Sequence, residues 1–417
     1  MIQSLDPEVI VIGGGPAGAT AATLLAQAGH RVQLFEREVF PRFHIGESLI
    51  PCTYGVFART GLLERLKDSH FVKKYSVQFV SDTGRVSAPF FFTQYKPVES
   101  SQTWQVRRAD FDLMLLDHAR EAGVQVHENH RVLEAIFEED RCVGVRVKNE
   151  ATGEERQVRA QVVIDGSGQS SVLLDRLQLR TWDSELKKAA VWTYYKNAWR
   201  DEGENAGATS VIQTEGKKGW FWYIPLHDNI TSVGVVADFS HLFNKNRTKD
   251  LGELFQEEVD HCPGVKVRLE GAERCDQYRA AKEYSYRAKQ AAGQGWVLIG
   301  DAYGFLDPLY SSGVLLAVKS GELAADAVHQ GLMTNDLTRT TLGAWEPEYV
   351  LGMERMRKLV LAYYKGMNFS KLIMKYPETK DDITDLLMGD LFRAELDLTL
   401  DKVDSMLEEM AAQPVVA

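Results

Sequence analysis

Residues 9–12 form an unbroken β-branched run, Val9-Ile10-Val11-Ile12, the pattern of a strand covered on both faces within a parallel sheet. Glycines follow at once, and residues 19–28, rich in alanine and leucine and closed by Gly29, predict a helix. Residues 31–36 supply a second strand ending in Glu36, which completes a βαβ unit. Further on, residues 110–122 have helical periodicity, 124–136 and 142–147 read as short strands, and 160–166 as a strand running into a turn. Between residues 182 and 279 the texture changes. Runs such as 190–195 and 231–236 are rich in aromatic and β-branched residues and predict a mostly antiparallel sheet. Residues 296–301 return to the buried-strand style and lead to a helix from Val314 to about residue 330, with further helices beyond Leu332.

The glycines give the first unit its chemistry. In Gly13-Gly14-Gly15-Pro16-Ala17-Gly18, Gly13 permits the tight bend from strand to helix, Gly15 lets backbone approach a pyrophosphate, and Gly18 lets the helix pack on the sheet. Glu36, eighteen residues after Gly18, is placed to accept hydrogen bonds from ribose hydroxyls. Glycine-rich loops are often plain turns, but here strand, helix and terminal acid all stand in their places, so a dinucleotide site is expected. The fold class is therefore α/β, with a discontinuous Rossmann-like lobe over residues 1–80, 105–180 and 285–330. A mostly antiparallel substrate-binding sheet (81–104 and 181–284) is inserted into it, and a short helical C-terminal region (331–417) follows.

Composition narrows the class. A chain of 417 residues suits two lobes rather than one core, and no apolar run is long enough to cross a bilayer. Residues 1–8 lack the basic and apolar stretches of a signal peptide, which leads to an expected cytoplasmic location. The net charge of −11 argues against a nucleic-acid partner. Part of that acidity lies in residues 378–409, which read as a solvated helical face. Cys52, Cys142, Cys262 and Cys275 are scattered, and no histidine cluster has metal-ligand spacing, so neither disulfides nor a metal are expected.

Three further motifs bring a family into view. The run GWVLIGDAYGFLDP from Gly295, the pair Asp165-Gly166 and Arg108 within residues 105–112 resemble the flavin motifs of the flavoprotein hydroxylase and halogenase superfamily. The resemblance implies FAD, with Asp301 on the ribityl chain, Arg108 near the diphosphate, and Asp165 and Gly166 as a middle motif. Within that superfamily the chain looks most like the flavin-dependent halogenases. Residues 40–51, with Arg42, Ile45, Gly46, Glu47 and Ser48, are similar to their signature beside the flavin ring. Trp220, Trp222, Ile224 and Pro225 match their WxWxIP motif, and residues 307–314 resemble their halide loop, with Pro308 and Val314 near the flavin.

The resemblance implies an enzyme that uses reduced FAD, O₂ and chloride or bromide to make hypohalous acid, which halogenates an electron-rich phenol- or pyrrole-like substrate, free or carrier-bound. Backbone N–H groups of Ser312 and Gly313 would hold the halide; a plain helix cap at residues 311–312 is the structural alternative. Trp220, Trp222, Ile224 and Pro225 would line the tunnel, although alternating aromatics also serve as ordinary packing. Lys74 would direct the hypohalous acid, by hydrogen bonding or as a haloamine; otherwise Lys73 and Lys74 are two solvated charges. His70 and Ser76 stand where the family usually has glycine. Tyr310 replaces the glutamate of tryptophan halogenases, which disfavours an indole site. With no second glycine turn, reduced flavin is expected from a separate reductase. The competing activities are geranylgeranyl-type double-bond reduction, disfavoured by the HIGES stretch, and aromatic hydroxylation without halide.

Overall fold

The computed structural model describes residues 6–282 and 285–412. Its nucleotide-binding sheet has six strands in the order Ala292–Gly293, Trp296–Leu298, Val162–Asp165, Val9–Ile12, Val32–Phe35 and Gln125–His127. All neighbours run parallel except the first pair. Val9, Ile10 and Val11 are wholly buried, as an apolar run between two covered faces requires. Helix Pro16–Gln27 leaves the end of the central strand. It packs against helix Gly313–Thr334 so closely that a Cβ on Gly321 would lie 2.5 Å from the Ala17 carbonyl oxygen. The sequence-expected helix at 110–122 is Arg108–Glu121, and the stretch 124–136 divides into strands Gln125–His127 and His130–Glu138.

The second sheet has eight strands and is antiparallel except where Thr209–Gln213 runs parallel to Ser76–Val80. Strand Ser76–Val80 thus pairs outside the lobe in which its position within residues 1–80 placed it. A local apolar pattern does not reveal which distant strand will satisfy its backbone N–H and C=O groups. Period-two geometry divides strand Gly219–Pro225 between two cores. Trp220, Trp222 and Ile224 join the cluster that reaches the nucleotide-binding sheet, whereas Phe221 and Tyr223 pack with Leu254 and Phe255 of helix Leu251–Asp260. Opposite Trp222 stands Gly234, where a Cβ would lie 2.2 Å from the indole ring.

Two short strands, Val72–Lys74 and Thr103–Gln105, pair antiparallel with Lys74 opposite Thr103. The C-terminal helices include Glu346–Tyr364, Lys380–Met388 and Leu396–Ala412. Their acids are not all solvated: the Asp385 side chain is only 10% exposed and pairs with Lys96 at 2.5 Å and Arg393 at 2.5 Å. Among the described residues, no helix is long and apolar enough to cross a membrane.

Candidate active site

A cavity of about 650 Å³ draws its lining from both large sheets. The nucleotide-binding side supplies Gly13, Gly15, Pro16, Ala17, Glu36 and Gly166; the loop after the second strand adds Arg42, Ile45, Gly46, Glu47 and Ser48. Arg108, Asp301, Pro308, Gly313 and Val314 join them, and the aromatic sheet closes the space with Trp192, Trp220, Trp222 and Ile224.

The glycine turn fits a dinucleotide for steric reasons. Gly13 has φ +94°, and a Cβ there would lie 2.6 Å from the Gly166 carbonyl oxygen, because Ile12 and Asp165 end adjacent parallel strands. A Cβ on Gly18 would lie 2.0 Å from the Gly13 oxygen, so Gly18 is required for the helix to begin here. Gly15 faces open space, with Arg42 Nη2 the nearest atom to its imagined Cβ at 3.6 Å. Glu36 accepts the Gly14 N–H at 2.8 Å and the Glu38 N–H at 2.9 Å, which holds its carboxylate at the cavity wall. These are the features an FAD pyrophosphate and ribose need.

Arg108 is braced by a residue the sequence reading passed over. Its guanidinium donates to both oxygens of Asp112, at 2.7 and 2.9 Å, and to the Ile45 carbonyl at 2.7 Å. Arg42 donates to the same carboxylate at 3.0 Å. Burial would raise the Asp112 pKa, but the guanidinium contacts hold it below the usual carboxylate value. The i,i+4 spacing from Arg108 on a predicted helix was the available signal. Burial pushes Asp301 up to about 6 against the opposing field of Arg108. It pushes Glu47 up to about 7, despite hydrogen bonds from Tyr194 and Ser232.

Lys74 is not a solvated charge. Its side chain is fully buried, while Lys73 beside it is exposed. The Lys74 Nζ donates to Ser48 Oγ at 2.8 Å and to the Leu49 carbonyl at 2.9 Å. Ser48 Oγ also lies 2.8 Å from Thr209 Oγ1, which accepts from Gln105 Nε2 at 2.8 Å. Desolvation lowers the Lys74 pKa to about 7. Lys74 does not itself line the cavity; Ser48 stands at the wall and links the two.

Three other assignments also need correction. Asp165 does not face the cavity: one oxygen accepts from the Ser167 N–H at 3.1 Å and Oγ at 2.5 Å, the other from Ser171 Oγ at 2.8 Å and the Leu173 N–H at 2.7 Å. It shapes the turn that presents Gly166. Pro225 ends its strand opposite Thr231 and is absent from the lining, as is Ser312. Helix Gly313–Thr334 nevertheless begins with no side-chain cap, and Ser312 Oγ has no hydrogen-bond partner among the described residues. The helix-cap alternative for Ser312 is therefore not what forms.

The aromatic wall depends on the C-terminal helices. Trp220 Nε1 donates to Tyr364 Oη at 2.9 Å, and Tyr364 donates to Asp307 Oδ2 at 2.9 Å. Burial raises Asp307 to about 6, with the Tyr364 hydrogen bond opposing. No local pattern could have revealed a contact between residues 144 positions apart.

Fold and site together define an FAD-dependent oxidoreductase whose catalytic end is enclosed by aromatic side chains. The family model for FAD-dependent oxidoreductases matches residues 8–175, and that for tryptophan halogenases matches residues 97–369. The chain belongs to the flavin-dependent halogenase family, enzymes that use FAD and a halide, chloride or bromide. It is 30% identical to a 1H-pyrrole-2-carbonyl peptidyl-carrier-protein chlorinase of Pseudomonas fluorescens, over 98% of this chain and 95% of that one. It is 32% identical to the corresponding brominase of Pseudoalteromonas luteoviolacea, over 93% of each. The structure of the flavin-dependent brominase Bmp2 superposes with a TM-score of 0.87 at 30% identity, covering 97% of this chain and 99% of that one. Reductase and halide-free hydroxylase activities give way to this assignment.

Proposed function

We propose that this halogenase acts on a pyrrolyl-2-carbonyl group carried as a thioester on a carrier protein, with Lys74 directing the hypohalous acid. The observation that carries the substrate reading is the end-to-end likeness to a chlorinase and a brominase of that substrate, with no large segment left over on either side. The residue roles rest on geometry. Bound and reduced FAD supplies the electrons with which O₂ converts halide to hypohalous acid. The uncapped start of helix Gly313–Thr334 offers the backbone N–H of Gly313, which lines the cavity, to the halide.

Lys74 gives two of its N–H groups to Ser48 Oγ and Leu49 O. The ammonium form carries a further proton, and Ser48 Oγ, which accepts from Lys74 and lines the cavity, relays it by donating to the hypohalous oxygen, making that oxygen the better leaving group. The carbon–halogen bond forms as the oxygen–halogen bond breaks; the oxygen takes the Lys74 proton and leaves as water. The ring then rearomatises by returning a proton to the amine. Trp220, Trp222 and Ile224 keep bulk water from the electrophile by packing on the cavity face. The same reading has a separate cytoplasmic reductase supply reduced flavin, since the sequence has one nucleotide-binding glycine turn.

The test is to reduce the FAD-loaded protein, add O₂ and bromide, and offer pyrrolyl-2-carbonyl carrier protein beside monochlorodimedone, which traps freely diffusing hypobromous acid. Wild type is expected to brominate the carrier-bound pyrrole. Lys74→Met is expected to lose at least 100-fold of that product, in line with removal of a positioned proton donor, while bromination of the trap persists. Equal carrier bromination by both proteins removes Lys74 from the mechanism. Bromination of free pyrrole-2-carboxylate in preference to the thioester overturns the carrier reading.

A further inference from the structure

The sequence has no histidine cluster at metal-ligand spacing, yet the fold assembles one. His70, Asp110 and His227 each offer a ligand atom, and all three atoms lie within 4.8 Å of one another. None of the three lines the flavin cavity. We propose that these side chains bind a borderline divalent cation, Zn²⁺ being the probe ion, at a site separate from the halogenation chemistry.

The distances fit half of a tetrahedral site already. Zinc bonds of roughly 2.0–2.1 Å place neighbouring ligand atoms about 3.3 Å apart, and His227 Nε2 lies 3.3 Å from Asp110 Oδ2. Both residues are held by their surroundings. The His227 side chain is 7% exposed, and Asp110 sits in the first turn of helix Arg108–Glu121. The His70 ring stands edge-on to His227 with centroids 4.3 Å apart. Being exposed, it is free to rotate and close the remaining gap. The solvent-facing side leaves an entry path and room for water as a fourth ligand. Asp228 is an alternative fourth ligand, since its Oδ2 is 3.6 Å from His227 Nε2. Two imidazoles and a carboxylate suit Zn²⁺, Cu²⁺ or Ni²⁺ far better than Mg²⁺ or Ca²⁺.

One resident cation competes. Arg107 lies 3.9 Å from Asp110 and 3.7 Å from Asp228, both long contacts made by a side chain that is 41% exposed. Such rim contacts are weak enough for a coordinated metal to displace. The site joins three elements: the approach to strand Val72–Lys74, the helix that carries Arg108 and Asp112, and the turn that leaves strand Gly219–Pro225. A metal here would tie together the segments that position the buried lysine, the flavin arginine and the paired tryptophans.

The experiment uses the FAD-loaded full chain, stripped with chelator, incubated with a small excess of ZnCl₂, desalted and analysed for metal by mass spectrometry. About one equivalent is expected to be retained by wild type, and below roughly a fifth of that by His70→Ala and Asp110→Asn. His30→Ala removes a different close imidazole pair, His30 and His329 at 2.8 Å, and is expected to retain zinc as wild type does. Zinc at about 100-fold above its Kd is expected to raise the wild-type Tm by about 3 °C or more, and to leave His70→Ala within about 1 °C. Because His70 is exposed, its loss does not threaten folding. Failure of wild type to retain zinc means a histidine–carboxylate contact only and overturns the proposal. So does retention by His70→Ala equal to that of wild type.

Discussion

If the ammonium form of Lys74 is the one that directs hypohalous acid, directed halogenation has to fall as pH rises through the lysine's own titration. Desolvation lowers that pKa from 10.5 to about 7. At ~1.4 kcal/mol per unit this is about 5 kcal/mol of bias toward the neutral amine. The protonated fraction is then about nine-tenths at pH 6, half at pH 7 and one-tenth at pH 8, a tenfold loss per unit thereafter. The assay is the ratio of brominated carrier to brominated trap in single turnovers, which divides out any pH effect on flavin oxidation. Bromide is preferred to chloride because hypobromous acid is the weaker acid and stays protonated over more of the range. Glu47 also titrates near 7, so Glu47→Gln is the control and is expected to keep the falling limb. A ratio that rises through pH 7 would show the free amine to be the reactive form, through a haloamine. A flat ratio from pH 6 to 9 would refute any role for the Lys74 proton.

Other consequences follow from buried charge and close packing. Glu47 has its pKa raised from 4.5 to about 7 by burial, so the stability it contributes is full below pH 4.5 and is lost as pH rises through 7. Glu47→Gln should therefore gain up to about 3 kcal/mol in urea unfolding at pH 8 and little at pH 4.5; equal gains at both pH values would contradict the burial argument. Asp112→Asn leaves the guanidiniums of Arg108 and Arg42 without their shared carboxylate and is expected to cost about 3–5 kcal/mol, read as a shift of the urea midpoint. Gly18→Ala places a Cβ 2.0 Å from the Gly13 oxygen and should abolish co-purification of FAD, read from the visible absorbance of the purified protein. Gly55→Ala meets nothing within 4 Å and should retain the flavin.

What the sequence determined by itself was the local part of the design. The run Val9-Ile10-Val11-Ile12, the glycines after it and Glu36 at the next strand end each follow from short-range sterics and periodicity, and they appear where the pattern put them. The alternation of Trp220, Trp222 and Ile224 likewise announced one face of one strand. Which groups meet across the chain was a different matter. Lys74 and Lys73 are neighbours of the same type, and only the pairing of strand Val72–Lys74 with Thr103–Gln105 buries one and exposes the other. Asp165 looked like a cofactor ligand until the turn at 167–173 took both its oxygens. Tyr364 reaches Trp220, and His227 reaches Asp110 and His70, from positions far away in the chain. Local conformation is set by backbone sterics and side-chain period, which a sequence displays directly. Desolvation, shared hydrogen bonds and ligand clusters depend on long-range packing, and those are what tertiary structure alone decided.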